Sequence, residues 1–198
     1  MKIAILSHGD KKVDIWKKIS FINKEKYCKK HGYNFIGSDK KYDDRPPTWH
    51  KLPMIKEYLS KYDWVLWNDP DTLIMNTTIK LEKFINDSYD FIISKVDYIN
   101  TGVFFVKNSE LGLKIITDAY NQEQYIGLKA NEEDSIKHLF SINEYKDIVR
   151  EKVKIASNAS FNKMPYNFKM KDFIIHFAGR YKDYKYFKKL SQGIKYYE

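Results

Sequence analysis

The sequence predicts an α/β fold with a mixed, mostly parallel central sheet flanked by helices. Three observations predict it. Apolar runs of strand length alternate with helical stretches through the first half of the chain, the pattern of strands joined by helical crossovers. The run Trp64-Val65-Leu66-Trp67 leads into Asn68-Asp69-Pro70-Asp71, which places two carboxylates at the end of a buried strand, where open α/β sheets bind ligands. The chain has 198 residues, of which 43% are hydrophobic, enough for one compact domain (residues 1–198) with a sizeable core and too apolar for disorder.

The elements follow in order. Lys2–Ser7 reads as a buried first strand, ended by the loop-forming cluster Ser7-His8-Gly9-Asp10. Asp14–Lys30 reads as an amphipathic helix with Ile15, Ile19 and Ile22 on its apolar face and His31-Gly32 at its end. Tyr33–Ile36 is a second strand, and Asp39–Pro47, with its Pro46-Pro47 pair, a loop. Lys51–Lys61 is a helix with Leu52, Ile55 and Leu59 on one face and Pro53 in its first turn. Beyond the acidic pair, Ile79–Ile85 reads as a short helix, Tyr89–Ser94 as a strand, Asp97–Gly102 as a loop and Val103–Val106 as a strand. Ser109 caps a helix running to Tyr120, and Glu132–Phe140 is a helix opened by acids. Val153–Ala156 and Phe173–Phe177 are late strands, and Lys182–Leu190 is a basic, aromatic tail helix.

Composition sets bounds on function. Cys28 is the only cysteine, so no intrachain disulfide can form, and without a nucleophile motif around it we take it as structural or incidental. The formal net charge is +9, but the lysines are scattered, which reads as a solvated surface with a local share left for phosphates. No apolar segment is long enough to span a membrane, and the N-terminal run is too short for a signal peptide. The expectation is a cytoplasmic or otherwise soluble chain. There is no glycine-rich phosphate loop, so phosphates would be held by metal and side chains.

The acidic pair carries the chemistry. Strand side chains alternate faces, so Asp69 and Asp71 aim at one spot, and Pro70 between them cannot donate to a ladder and ends the strand. Two hard oxygen ligands suit Mg²⁺ or Mn²⁺, either of which neutralises a nucleotide diphosphate. Asp-Pro-Asp is also a good solvated turn. Its flanks, Trp64–Trp67 and Leu73-Ile74-Met75, favour the site.

Five stretches in sequence order resemble glycosyltransferase family 34, the galactosyl/mannosyl/xylosyl transferases, over about residues 1–180. Tyr27-Cys28-Lys29-Lys30-His31-Gly32-Tyr33 resembles the family's early helix end, and Arg45, Trp49, Lys51 and Pro53 its spaced residues before the third strand. Trp67 to Asn76 resembles its metal-binding DxD segment, Asn100-Thr101-Gly102-Val103-Phe104-Phe105-Val106 its asparagine-threonine-glycine motif, and Ile174-Ile175-His176-Phe177-Ala178-Gly179 its histidine motif. The resemblance implies a GT-A fold and a retaining, metal-dependent transferase. It implies that Asp71 and His176 hold the ion, with Asp69 joining them or holding the ribose and a metal-bound water. An imidazole beside two carboxylates favours Mn²⁺ over Mg²⁺. Asp-Pro-Asp replaces the family's usual Asp-Ala-Asp and keeps both acids. Glu132-Glu133-Asp134 stands where the family carries an acid followed by Gln. Many cellular members carry a membrane anchor and a stem; the expectation here is a chain without either, whose small size is similar to virus-encoded members that glycosylate capsids.

The remaining candidates take their roles from that chemistry. Ser7, His8 and Gly9 follow the first strand, where a nucleoside docks. Lys51 and Arg45 are candidates for phosphate or sugar, with a solvated surface cation as the alternative for Arg45. Asn100 is a candidate for the donor sugar or acceptor, Asp97 for a sugar hydroxyl, and Gly102 and Gly179 for close backbone approach to the donor. Asn-Thr-Gly is also simply a good turn. Glu132, Glu133 and Asp134 either supply a carboxylate facing the anomeric carbon or complement a helix dipole. The function expected is transfer of a sugar from a nucleotide sugar, UDP-linked, to a glycan or glycoprotein hydroxyl, with no nucleic acid and no membrane span. Two other readings are a basic nucleic-acid-binding protein without catalysis, and a metal-dependent phosphodiester hydrolase or nucleotidyltransferase using the same acids.

Overall fold

The computed structural model describes residues 1–95 and 98–196. Eight strands and six α-helices run in the order β1 (Ile3–His8), α1 (Asp14–His31), β2 (Asn34–Ser38), α2 (Lys51–Leu59), β3 (Trp64–Asn68), β4 (Thr72–Ile74), β5 (Phe91–Lys95), β6 (Ile99–Lys107), α3 (Glu110–Tyr120), α4 (Glu132–Leu139), α5 (Lys146–Lys152), β7 (Val153–Ser157), β8 (Ile174–His176) and α6 (Tyr184–Gln192). The main sheet has the order β2-β1-β3-β6-β5-β7, and β4 and β8 form a second, two-stranded sheet. β1 pairs parallel with β2 and β3, β5 pairs parallel with β7, and β6 alone runs antiparallel to its neighbours β3 and β5. The sheet is mixed and mostly parallel, as the alternation of apolar runs and helices predicts.

Strand periodicity sorts the core into two layers. Ala4, Leu6, Val65, Trp67, Phe104 and Val106 pack toward α2, α3 and α4. Their alternates Ile3, Ile5, Trp64, Leu66, Val103 and Phe105 pack toward α1 and the segment around Phe161 and Phe173. Both faces are covered, which is why these strands read as continuous apolar runs.

The apolar face expected of α1 is not the one buried. Ile15 and Ile22 are exposed, and the helix buries Trp16, Ser20, Asn23, Lys24, Tyr27 and Cys28 instead. The reason is β4. One edge of β4 meets β8, with Met75 donating to the Phe173 carbonyl and Phe177 to the Asp71 carbonyl. The other edge faces α1, and buried backbone groups there need partners. Ser20 Oγ donates to the Thr72 carbonyl at 2.9 Å. Asn23 accepts from the Ile74 amide at 2.7 Å and donates to the Ile74 carbonyl at 3.0 Å, standing in for a strand neighbour. The Cys28 thiol is buried among these residues and burial pushes its pKa up, which fits a structural role, one of the two expected of it.

Two further expectations are corrected. Ile79–Ile85 is not an α-helix; it holds a single 3₁₀ turn at Leu81–Lys83. The loop expected over Asp97–Gly102 is largely strand, because β6 begins at Ile99 and a register shift opposite Ile93 and Ser94 lets it start early. Asp97 lies outside the described residues. No helix among the described residues is long and apolar enough to cross a membrane.

Asn23→Ala leaves both backbone groups of Ile74 without their side-chain partners, and unfolding in urea should show a loss of about 3 kcal/mol. Ile22→Ser, on the exposed side of the same helix, should stay within about 0.5 kcal/mol of the parent.

Candidate active site

The site forms where β1 and β3 end and β6 begins. Strand order reverses about β1, with β2 on one side and β3 on the other, so a crevice opens outside the carboxyl ends of β1 and β3. β3 stops at Asn68, before Pro70, and the Asp69 amide donates to the Gly102 carbonyl at 2.8 Å. The chain turns at Asp69-Pro70-Asp71 and enters β4, whose register sets Thr72 opposite His176. That register carries His176 to the Asp71 carboxylate.

The three side chains named from the sequence meet here. One ligand atom from each of Asp69, Asp71 and His176 lies within 4.8 Å of the others. His176 Nε2 stands 3.3 Å from Asp71 Oδ1 and Lys182 Nζ 3.4 Å from Asp71 Oδ2. Burial raises the Asp71 pKa, but the imidazole and the Lys182 ammonium outweigh it and hold the carboxyl at about 2. Asp71 Oδ1 is buried and, at ion-pair distance from His176, still receives no hydrogen bond. A buried carboxylate oxygen left in that state fits a cation ligand. Two carboxylates and an imidazole form a donor set suited to a divalent ion such as Mn²⁺.

Gly102 makes room for the histidine. A Cβ built there would stand 2.0 Å from His176 Cε1, so the close approach expected at this glycine is made by the ring itself.

A second charged group adjoins the first. Lys51, at the start of α2, is buried with its Nζ 2.6 Å from Glu132 Oε1, 3.4 Å from Asp69 Oδ1 and 3.1 Å from the Thr101 carbonyl it donates to. Burial works against its charge, but Asp69 and Glu132 outweigh it and raise its pKa. Burial raises the Glu132 pKa, with Lys51 opposing. Below the turn, Lys24 of α1 donates to Ser20 and, at 3.1 Å, to the Asp69 carbonyl. Its pKa falls to about 7 because it is buried, despite the nearby carboxylates of Asp71 and Asp69.

Two clefts flank these groups. The first, of about 120 Å³, is lined by His8, Gly9, Thr48, Lys51, the Asp69–Asp71 turn and Lys182. The second, of about 200 Å³, is walled by Tyr98, Tyr166 and Tyr181, with Asn100, Glu133 and Gly179 among its other residues. Asn100 Nδ2 donates to Glu133 Oε2 at 3.3 Å, and the Thr101 amide donates to the same oxygen at 3.1 Å.

The sequence candidates therefore separate. Asp69, Asp71, His176, Lys51, His8 and Gly9 come together at the first cleft, and Asn100, Glu133 and Gly179 at the second. Ser7 is buried within β1 beside the crevice, and Glu132 is buried against Lys51. Arg45 and Asp134 line neither cleft. Arg45 is fixed instead by the Tyr120 carbonyl, by Glu123 at 3.0 Å and by the Tyr120 ring at 3.9 Å. Asp134 is turned toward Lys137 at 3.7 Å. Three groups escaped the sequence reading: Lys24, Lys182 and Asn162. Asn162 lies between β7 and β8 and accepts from His176 Nδ1.

The model of the galactosyl transferase GMA12/MNN10 family matches residues 4–91, the part that carries the Asp-Pro-Asp turn. An uncharacterized alpha-1,2-galactosyltransferase of Schizosaccharomyces pombe is 26% identical over 208 residues, covering 79% of this chain and 54% of that protein. Over residues 4–91 the chain resembles the GMA12/MNN10 family. It spans about half the length of that relative. Among solved structures, a glycosyltransferase involved in glycosylation of the major capsid of PBCV-1 superposes with a TM-score of 0.75 at 19% identity, covering 97% of this chain and 100% of that one. A mutant of Drosophila β1,4-galactosyltransferase 7 in complex with manganese, UDP-Gal and xylobiose superposes at 0.55 and 16% identity, covering 91% and 72%. The fold is the GT-A glycosyltransferase fold.

Gly102→Ala should cost about 1–3 kcal/mol in chemical denaturation, because the added methyl overlaps the His176 ring. Gly193→Ala, where the added methyl meets only the Leu190 carbonyl oxygen at an ordinary 3.6 Å, is the control that should change stability little.

Proposed function

We propose that this chain is a metal-dependent glycosyltransferase that moves a sugar from a UDP-sugar to a hydroxyl of a glycan or glycoprotein, with retention at the anomeric carbon as the family resemblance implies. The observation that carries the reading is the cluster of Asp69 and Asp71, which line the first cleft, with the buried His176 behind them, and Asp71 Oδ1 buried and without a hydrogen bond. Asp71 and His176 would hold a divalent ion, with Asp69 as third ligand or ribose contact. The ion supplies a Lewis acid that neutralises the charge growing on a departing nucleoside diphosphate.

The chain's own residues do the rest. Lys182 stands in the cleft beside Asp71 and places a second positive charge where the diphosphate leaves. The nucleoside docks at His8 and Gly9, outside the end of β1. Lys51 lines the cleft, and the buried Glu132 behind it fixes a cation that can meet sugar hydroxyls or phosphate. The tyrosine-walled second cleft, with Asn100 and Glu133 among its lining, receives the acceptor. The manganese, UDP-Gal and xylobiose in the Drosophila galactosyltransferase structure fit the same assignment of ion, donor and acceptor. A carboxylate-rich crevice without a metal repels a nucleic-acid backbone, which disfavours the basic-binder reading despite the net charge of +9.

A thermal-shift series tests the proposal. UDP with Mn²⁺ at about 100 times Kd should stabilise the protein by about 2.7 kcal/mol, a rise of roughly 5–10 °C for a chain of this size. UDP alone should give little, and Asp71→Ala should abolish the metal dependence. Equal stabilisation by UDP with and without Mn²⁺ would overturn the reading. Release of UDP from a panel of UDP- and GDP-sugars then identifies the donor.

A further inference from the structure

The hydrogen bonds around His176 can be read from a group whose role is fixed. The Gly102 amide can only donate. It donates to Asn100 at 3.1 Å, so the Asn100 atom it meets is the carbonyl oxygen. Asn162 meets that same oxygen at 2.9 Å and Ser94 Oγ at 2.6 Å through one atom, which must therefore be its amide nitrogen. The other amide atom of Asn162 is then its oxygen, and His176 Nδ1 stands 3.0 Å from it. Two lone pairs would repel at that distance, so Nδ1 carries a proton. That leaves Nε2 as the nitrogen on the Asp71 side, 3.3 Å from Oδ1, where two lone pairs would repel as well and a proton or a cation has to lie between them.

We propose that Asn162 is a positioning residue: oriented by the Gly102 amide through Asn100, it holds His176 in the Nδ1–H tautomer that leaves Nε2 for a divalent cation. The inference rests on the metal-dependent reading above and adds the residue that prepares the nitrogen ligand. A second partner of this kind fixes both ring orientation and basicity of a ligating histidine. Three features support the role. Asn162 is 1% exposed and lines neither cleft, so it meets no substrate. Each amide atom is committed, the oxygen to His176 and the nitrogen to Asn100 and Ser94. Gly102, which starts the chain of hydrogen bonds, also leaves the space the imidazole occupies. Because Asn100 also donates to Glu133, one network runs from the ion's histidine to the carboxylate of the second cleft.

The test is Mn²⁺ binding followed by electron paramagnetic resonance on the full chain with UDP present, for the parent, Asn162→Ala and Asn162→Asp. Asn162→Ala removes the acceptor and should weaken Mn²⁺ about 10- to 100-fold. Asn162→Asp keeps an acceptor for Nδ1 and gives up the amide's donations to Asn100 and Ser94, so it should bind Mn²⁺ close to the parent. UDP affinity without metal should be the same in all three, a readout that a general loss of structure would move. Equal Mn²⁺ affinity in all three overturns the inference, and so does an equal loss in both variants, since the acceptor would then not be what matters. If Asn162→Ala fails to fold, a loss of Mn²⁺ in Asn162→Asp overturns it and retention upholds it. A parent that binds no Mn²⁺ removes the metal-dependent reading itself, and the inference with it.

Discussion

The site depends on the antiparallel pairing of two three-residue strands. β4 follows the Asp-Pro-Asp turn directly, and β8 ends in His176. Their register, Thr72 against His176, brings the imidazole to Asp71 across a long stretch of sequence. Strands this short supply few ladder bonds, and an isolated pair is marginal in water. The surroundings hold it: the Leu73, Ile175 and Phe177 side chains pack with Trp16 and Phe187, and the free edge of β4 is taken up by α1.

Helix α1 therefore gives up a conventional apolar face. Ser20, with Asn23 and Lys24 one helical turn further on, points inward with them, and together they bond the backbone from Asp69 to Ile74. A buried lysine is costly unless its charge is met, and the two carboxylates of the turn lie close enough to oppose its loss of charge. Lys51 holds the other side of the turn, between Asp69 and Glu132. The acidic pair thus sits between two buried amines, one supporting its backbone and the other its side chain. Carboxylates crowded at one sheet end would otherwise repel one another.

The parts of the fold carried by local signals were legible in the sequence. β3, its stop before Pro70 and the Ser109 cap, which accepts from the Gly112 amide at 3.0 Å, follow from residues adjacent in the chain. The Asp-Pro-Asp turn was legible because polar residues between two apolar runs have few structural uses. Helix α1 misled because Ile15, Ile19 and Ile22 form a regular stripe, whereas the stripe actually buried is part polar and answers to β4, an element that follows it in sequence. Its signal was present as Trp16, Ser20, Asn23 and Tyr27 at helical spacing, but Lys24 cannot be told from Lys26 or Lys29 by local context. Lys182 was hidden by being read as the first residue of the tail helix, which starts at Tyr184 behind an Asp183 cap. Asn162 lies in an irregular connection, and only the folded chain brings it to His176. Arg45 is spoken for by Tyr120 and Glu123, partners far along the sequence.

The central claim is that Asp71 Oδ1 and His176 Nε2, brought together by the β4–β8 register, are the anchor of a divalent ion. Crystals grown with Mn²⁺ and UDP, measured at the manganese absorption edge, test it most directly. The account predicts an anomalous peak within coordinating reach of both atoms. UDP bound in the cleft with no such peak, or a peak held by other side chains, would contradict it.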